Sequence, residues 1–325
     1  MAFQYFFFFA YVSFSLILQV SFQNDNLLLG KFPFVKKLNN NKYIALDQNG
    51  IYLIDENFQS KEKVIVSKTI SSYNARSANI AQFSKEYNNI IIVINGINLY
   101  IISQEGNLLA NKESVTFLDI TKFYSIIPYE KEDNEYIFYL LFYDSSSGKK
   151  LRYSKGTYES SNIVLTDPDG LILPTMESTY FNIDCVLLEN GNEKIISCFY
   201  GNNNNFILYS FNPKNDFQII DNKSVQLPVE GATRRYFFKT MVLPGNQKTI
   251  FCSYSGNDIF DCAWYDIITN EFYNYTKTTI KGNDFYAYNI YIEYFEETHE
   301  VLIGKQISAK KISTMKCSKE LECTD

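Results

Sequence analysis

The chain has 325 residues, of which 46% are hydrophobic and 17% are aromatic, with 27 Phe, 26 Tyr and one Trp. Its formal net charge of −6 is spread along the sequence, and basic residues form only isolated pairs such as Lys149-Lys150. A protein that follows a nucleic-acid backbone needs a basic face, so nucleic acid is not a predicted partner. The apolar content suffices for a large core, which sheet assemblies of this length often build as one domain.

The N-terminal run from Ala2 to Phe22 is uncharged and mostly apolar. It predicts a secretory signal peptide over residues 1–23, with the terminal amine in place of basic residues. No Lys or Arg precedes the run and no A-x-A-like site follows it. An uncleaved signal anchor is therefore the alternative, because a membrane span needs about 18–20 apolar residues. The predicted location is secreted or extracellular, with a membrane-anchored extracytoplasmic domain as the alternative.

From Phe34 onward, short runs rich in Ile, Val, Phe and Tyr alternate with turns rich in Asn and Gly. This alternation is typical of β-hairpins, and no segment shows the period and caps of a long amphipathic helix. The runs group into six units that begin near residues 34, 80, 123, 180, 236 and 285. A spacing of about 45–55 residues is typical of four-stranded propeller blades.

The burial expected of each run separates two all-β folds. Runs such as Tyr136–Tyr143 and Lys248–Tyr254 are almost continuously apolar, whereas Glu271–Thr276 is more polar. Continuous runs indicate strands covered on both faces, as between neighbouring blades. The sequence therefore predicts an all-β fold, a single β-propeller of about six four-stranded antiparallel blades over residues 24–313. The alternatives are a seven-bladed ring of which this chain is a fragment, and β-sandwich domains.

Two segments fall outside the six units. The sixth unit shows three strands, and we predict that the apolar run Asn26–Gly30 adds its outer strand and closes the ring. The segment 314–325 contains two cysteines and lacks a strand pattern. It is predicted to be a disulfide-pinned tail or the start of a further module.

The six cysteines predict disulfides of an oxidising compartment. Cys185 and Cys198 flank the turn ENGNEK. If Gly191-Asn192 forms a two-residue loop, the two cysteines face each other directly and can be bridged. A loop one residue earlier would place Ile196 opposite Cys185 instead.

Cys252 and Cys262 lie symmetrically about a three-residue loop centred on Asn257, which predicts the same kind of bridge. Cys317 then pairs with Cys323 by elimination. Buried free thiols are the alternative. A metal site is not predicted, because the chain has no C-x-x-C motif and a single histidine.

Two N-glycosylation sequons agree with an oxidising compartment. They are Asn222-Lys-Ser and Asn274-Tyr-Thr. Such motifs also arise by chance in an Asn-rich chain, so they support the predicted compartment without establishing it.

No catalytic constellation stands out from the sequence. His299 lies in the predicted turn EETHEV, and no G-x-S-x-G motif occurs. Paired carboxylates could serve glycoside hydrolysis, and the candidates are Asp167 with Asp169 and Glu296 with Glu297. Both pairs lie in turn-forming segments where acidic residues are common.

The chain resembles β-propeller repeat proteins over nearly its whole mature length. It lacks the WD dipeptide, the paired glycines of kelch units, the S-x-D-x-G turn of sialidases and the YWTD motif, so no particular family is indicated. The resemblance implies a disc that binds a partner on one face or in its central channel, although fold alone does not define function.

The predicted function is a secreted or cell-surface binding module without a cofactor, whose ligand is a protein or a glycan. It could form the N-terminal ectodomain of a larger receptor-like protein. Membrane attachment would then come from an uncleaved signal anchor or from a C-terminal segment missing here. The alternatives are a carboxylate-dependent propeller enzyme resembling glycoside hydrolases, and a truncated product.

Overall fold

The computed structural model describes most of the chain from residue 34 to residue 324. The described residues are 34–38, 40–47, 50–55, 61–66, 79–84, 87–118, 124–144, 150–166, 168–171, 182–190, 193–202, 205–215, 217–226, 237–242, 248–256, 259–266, 269, 271–279, 290–295, 299–308 and 311–324. The predicted signal peptide over residues 1–23 lies outside them.

The strands of the described residues form six antiparallel sheets, which we call blades 1 to 6. Blade 1 consists of β1 (Phe34–Lys37), β2 (Tyr43–Asp47), β3 (Gly50–Ile54) and β4 (Lys61–Val66). Blade 2 consists of β5 (Asn79–Gln82), β6 (Ile91–Asn95), β7 (Asn98–Ile102) and β8 (Leu108–Lys112). Blade 3 consists of β9 (Tyr124–Glu132), β10 (Glu135–Asp144), β11 (Lys150–Glu159) and β12 (Asn162–Leu165), with β13 (Asp169–Leu171) also paired to β11.

The second half of the chain repeats this order. Blade 4 consists of β14 (Asn182–Asn190), β15 (Glu193–Asn202), β16 (Asn205–Asn212) and β17 (Gln218–Gln226), with a 3₁₀ turn at Pro213–Asn215. Blade 5 consists of β18 (Phe237–Val242), β19 (Lys248–Gly256), β20 (Ile259–Asp266) and β21 (Glu271–Thr279). Blade 6 consists of β22 (Ile290–Phe295), β23 (Glu300–Ser308), β24 (Lys311–Ser318) and β25 (Cys323–Thr324).

The first strands of the six blades line the centre of a closed ring. Each first strand lies next to the first strand of the following blade, and β22 lies next to β1. The chain is therefore a β-propeller, and the predicted fold class is confirmed.

Burial of the second strands on both faces explains the continuous apolar runs. In β6, Ile92 and Ile94 pack into the core shared with blade 3, while Ile91 and Val93 pack into the core shared with blade 1. All five residues of this strand are buried, whereas the outer strand β8 has one buried position. Alternate residues of a strand point to opposite faces, so a strand between two blades needs apolar residues at every position.

Polar side chains join the first strands of neighbouring blades. The Oγ of Ser125 in β9 accepts a hydrogen bond from the backbone N–H of Cys185 in β14 at 3.1 Å and donates to the backbone O of the same residue at 3.4 Å. In the same way, the amide of Asn79 in β5 donates to the backbone O of Tyr124 in β9. These bonds satisfy backbone groups on strand edges that have no ladder partner.

The sixth blade has four strands, so the predicted three-stranded unit is wrong. The strands β24 and β25 carry the sheet past the predicted propeller boundary at residue 313 and end at Thr324. The turn before β25 is stabilised by Ser318, whose backbone N–H donates to the O of Glu322 at 2.9 Å. β25 was not predictable as a strand because two residues carry no periodicity. The predicted strand at Asn26–Gly30 falls outside the described residues.

The described outer strand of each blade is bulged, divided or short. A bulge breaks β4, β8, β17 and β21, because in each strand the register to its neighbour shifts by one residue. Blade 3 divides its outer edge between β12 and β13, and β25 is two residues long. Such interruptions limit edge-to-edge pairing between molecules.

Candidate functional site

Three disulfides join the predicted cysteine pairs. The Cα atoms are 4.0 Å apart in Cys185–Cys198, 4.1 Å apart in Cys252–Cys262 and 4.0 Å apart in Cys317–Cys323. In blade 4, Asn190 faces Glu193 and Cys185 faces Cys198, which is the register that a loop at residues 191–192 requires.

The strand register that pairs Cys252 with Cys262 does not arise from the predicted turn. Gly256 faces Ile259, so the loop contains the two residues 257 and 258, and the predicted three-residue loop is wrong. A bulge between Tyr254 and Gly256 adds one residue to β19. This extra residue restores the pairing of Cys252 with Cys262, so the symmetric spacing predicted the bridge although the turn differs.

Two of the disulfides contribute to one core. Cys252, Cys262 and Cys317 are buried with Trp264 between blades 5 and 6. Among the described residues no cysteine is free. Three disulfides are typical of an extracellular or secreted protein. No helix in the described part of the chain is long and apolar enough to cross a membrane.

The two sequons lie on outer strands. Asn274 is an exposed residue of β21, with a backbone φ of 49° at the bulge. Asn222 lies in β17 opposite Tyr209, and its side chain is outside the described part of the structure. Glycosylation of either residue remains a prediction.

The residues that the sequence suggested for catalysis do not form a cluster in the described part of the structure. His299 is exposed in the turn between β22 and β23, with a φ of 54°. Asp167, Glu296 and Glu297 lie outside the described residues, as does the side chain of Asp169. The described part of the chain contains no group of three or more His, Cys, Asp or Glu side chains that could hold a metal.

One cluster that the sequence did not reveal lies where blades 2, 3 and 4 meet. We define the Lys194 cluster as Tyr87, Tyr129, Glu189 and Lys194. The ammonium of Lys194 donates to the backbone O of Tyr129 at 3.0 Å and to the hydroxyl of Tyr87 at 3.4 Å. It lies 5.5 Å from the centroid of each of these tyrosine rings, within the range of a cation–π contact. The carboxylate of Glu189 is 3.8 Å away.

The Lys194 cluster reaches the surface on one face of the ring. Tyr87 lies between β5 and β6, and Lys194 follows the turn between β14 and β15. In an antiparallel blade, the connections between strands 1 and 2 and between strands 3 and 4 lie on the same face, which we call the turn face. The Lys194 side chain is 19% exposed and the Glu189 side chain is 64% exposed.

Tyr129 is held inside the cluster by a bulge. It is the extra residue of β9 between Pro128, which faces Phe138, and Glu130, which faces Ile137. Its residue surface is 2% exposed, and its hydroxyl has no hydrogen-bond partner among the described residues. Burial, with further contributions from Glu130 and Glu132, raises the pKa of Tyr129 to about 12. The hydroxyl is therefore protonated at neutral pH and can both donate and accept.

Charged and aromatic groups surround the cluster on the turn face. Glu130 forms an ion pair with Lys214 of blade 4 at 3.4 Å. The side-chain amide of Asn88 donates to the hydroxyl of Tyr136 at 3.0 Å, and Lys131 lies 5.2 Å above the same ring. This part of the turn face thus combines aromatic surface with hydrogen-bond donors and acceptors.

Comparisons with known proteins agree on the fold and on nothing more specific. No protein-family model matches the chain, and no curated protein matches it. The SapL1 lectin in complex with α-methyl fucoside is similar in structure, with a TM-score of 0.56 and 10% identity over 91% of this chain and 96% of that one. An α-L-arabinanase from Penicillium chrysogenum, complexed with arabinobiose, gives a TM-score of 0.52 and 12% identity over 90% of this chain and 94% of that one.

The WD40 domain of SCAP from fission yeast gives a TM-score of 0.48 and 12% identity over 90% of this chain and 67% of that one. At such identities the similarity shows the fold alone. The protein is accordingly a β-propeller, as its resemblance to propeller repeats in general predicted, and the comparisons indicate no particular family.

Proposed function

We propose that the protein is a secreted or cell-surface propeller that binds a glycan or protein ligand at the Lys194 cluster on its turn face. The observation that carries the proposal is the buried Tyr129 hydroxyl without a described partner, next to a partly exposed ammonium–carboxylate pair. Binding sites typically combine apolar or aromatic surface with a few polar groups that orient the ligand. The lectin of similar fold binds a fucoside, so the architecture is compatible with a sugar ligand.

The chemistry of the cluster fits a ligand with several hydroxyl or amide groups. Lys194 supplies a donor and Glu189 supplies an acceptor at the surface, whereas the Tyr129 hydroxyl is buried and would bond to a ligand only after neighbouring side chains shift. Glu189 is mostly exposed and lies 3.8 Å from the ammonium. A ligand acceptor could therefore approach Lys194 while the two hydrogen bonds that hold its side chain remain in place.

Secretion is the first part of the proposal to test. We propose that residues 1–23 direct the chain into the secretory pathway, and that the propeller can stand as the N-terminal ectodomain of a larger receptor-like protein. The experiment is expression with the native N-terminus in eukaryotic cells. Recovery of the protein from the medium, with its N-terminus near residue 24, supports a cleaved signal. Retention in carbonate-washed membranes supports the anchor, and a cytosolic product contradicts the proposal.

Ligand binding is the second part. The secreted protein is screened against an array of glycans and an array of extracellular protein domains, and each hit is measured in solution. Lys194→Ala should weaken binding by about tenfold or more, the loss expected for one or two hydrogen bonds. Lys277→Ala is the matched control, because Lys277 is exposed on the outer strand of blade 5. Equal affinity of both variants would place the ligand elsewhere.

A further inference from the structure

Asn274 occupies an unusual position on the rim of the propeller. In β21, Thr276 faces Cys262 and Tyr273 faces Trp264, so that Asn274 and Tyr275 together oppose the single residue Ala263. Asn274 has a φ of 49°, in the left-handed region that Asn tolerates better than most residues. It is exposed, and β21 is the outermost strand of its described sheet.

The other two residues of the sequon are anchored by the blade. The hydroxyl of Tyr275 donates to the carboxylate of Asp261, which is 1% exposed. Thr276 is half-buried and lies opposite the disulfide-bonded Cys262. The bulge thus holds the second and third residues against the sheet while the acceptor side chain projects from it.

We propose that Asn274 carries an N-linked glycan, an inference that rests on the proposed secretion. In this modification the side-chain amide nitrogen forms a bond to the anomeric carbon of an oligosaccharide. The bond from that carbon to its lipid pyrophosphate breaks, the lipid pyrophosphate departs and the amide nitrogen loses one proton. The secretory pathway supplies the lipid-linked donor. An outer-edge bulge accommodates the product because the attached sugar displaces no neighbouring strand.

The position of the glycan relative to the ring has a consequence for binding. Asn274 belongs to blade 5, whereas the Lys194 cluster is formed by blades 2, 3 and 4. A glycan on β21 leaves that part of the turn face accessible. It also covers an outer edge strand, the part of a sheet that is most prone to pair with another molecule.

The test compares variants that separate the sequon from the bulge. Thr276→Ala destroys the sequon but keeps Asn274, and Thr276→Ser restores it. Asn274→Asp removes the acceptor with a residue that tolerates the same backbone conformation. Each is expressed twice in a eukaryotic secretory host, with the native N-terminus and with a foreign cleavable signal before residue 24. Mobility before and after N-glycosidase treatment, and the mass of the peptide containing residue 274, are then measured.

We expect glycan at Asn274 in the wild type and in Thr276→Ser, and none in Thr276→Ala or Asn274→Asp. Asn222→Gln should leave the glycan at Asn274 unchanged. Protein that is secreted from the foreign signal with its disulfides formed, yet carries no glycan at Asn274, overturns this inference. If glycan appears with the foreign signal while the native N-terminus leaves the protein in the cytosol, the proposed secretion fails and the glycosylation site stands.

Discussion

The indole N–H of Trp264 in blade 5 donates to the backbone O of Lys319 in the last turn of blade 6, at 2.6 Å. This bond ties the third strand of one blade to the turn that precedes β25. Trp264 is the single tryptophan of the chain and is 5% exposed. It also stacks on Tyr273, with ring centroids 6.3 Å apart. The seam between blades 5 and 6 therefore contains its own spectroscopic reporter.

Trp264→Phe should destabilise the propeller by about 1–3 kcal/mol, because the variant leaves the Lys319 carbonyl without its donor in a partly buried site. Urea denaturation followed by circular dichroism measures the loss. Lys319→Ala is the matched control, since the bond uses the backbone O and Lys319 is exposed. A loss in Lys319→Ala as large as in Trp264→Phe would contradict the assigned role.

The double variant Cys317→Ser with Cys323→Ser should loosen β25 and shift the tryptophan emission to longer wavelength. Trp264 and Cys317 belong to one buried core, so release of the last turn exposes the indole to water. The chain-entropy estimate for so short a loop is a loss of about 2 kcal/mol. Cys185→Ser with Cys198→Ser removes a bridge in blade 4 and should leave the emission maximum unchanged. The same spectrum in both double variants would show that Trp264 does not sense the tail.

Gly156→Ala should destabilise blade 3 by about 1–3 kcal/mol through overpacking. Gly156 faces Phe138, and a Cβ atom at residue 156 would lie 2.3 Å from the Phe138 ring. The ring is fully buried, so a shift that relieves this contact must disturb the residues packed around it. Thr157→Ala, at the next position of β11, should lose less than half as much free energy of unfolding. Equal losses of the free energy of unfolding in the two variants, measured by chemical denaturation, would show that the close approach of residue 156 to the Phe138 ring does not affect stability.

Tyr129→Phe should leave the free energy of unfolding unchanged or raise it. A buried hydroxyl without a partner carries a desolvation penalty of about 1–3 kcal/mol, which the phenyl ring avoids. Tyr136→Phe is the comparison, because its hydroxyl accepts a hydrogen bond from Asn88 and its loss should cost about 0.5–1.5 kcal/mol. If Tyr129→Phe is the less stable of the two, the hydroxyl has a structural partner and the binding proposal loses its main support.

Much of the fold was predictable because it depends on the spacing of residues that are close together in the sequence. The equal distances of Cys185 and Cys198 from one turn predicted both a disulfide and the strand register. The continuous run Tyr136–Tyr143 predicted burial on both faces, and alternate residues of β10 do pack into two different cores. Neither inference needs knowledge of residues far away in the chain.

The features that were missed depend on distant contacts or on single residues. Lys194 contacts Tyr87, which is 107 residues away in the sequence, and Tyr129, which is 65 residues away. Local sequence patterns do not predict contacts at such separations. The bulge before Gly256 changed a predicted turn without changing the pairing of the cysteines. The two-residue strand β25 depends on a disulfide and a turn and has no strand pattern of its own.

The most direct test of the proposed function is hydrogen exchange of the secreted protein with and without the ligand that the arrays identify. We predict slower exchange in peptides that contain Tyr87, Tyr129 and the hairpin from Glu189 to Lys194. Peptides from the outer strands of blades 5 and 6 should exchange at the same rate in both states. Protection confined to other blades, with no change around Lys194, would contradict the proposed site.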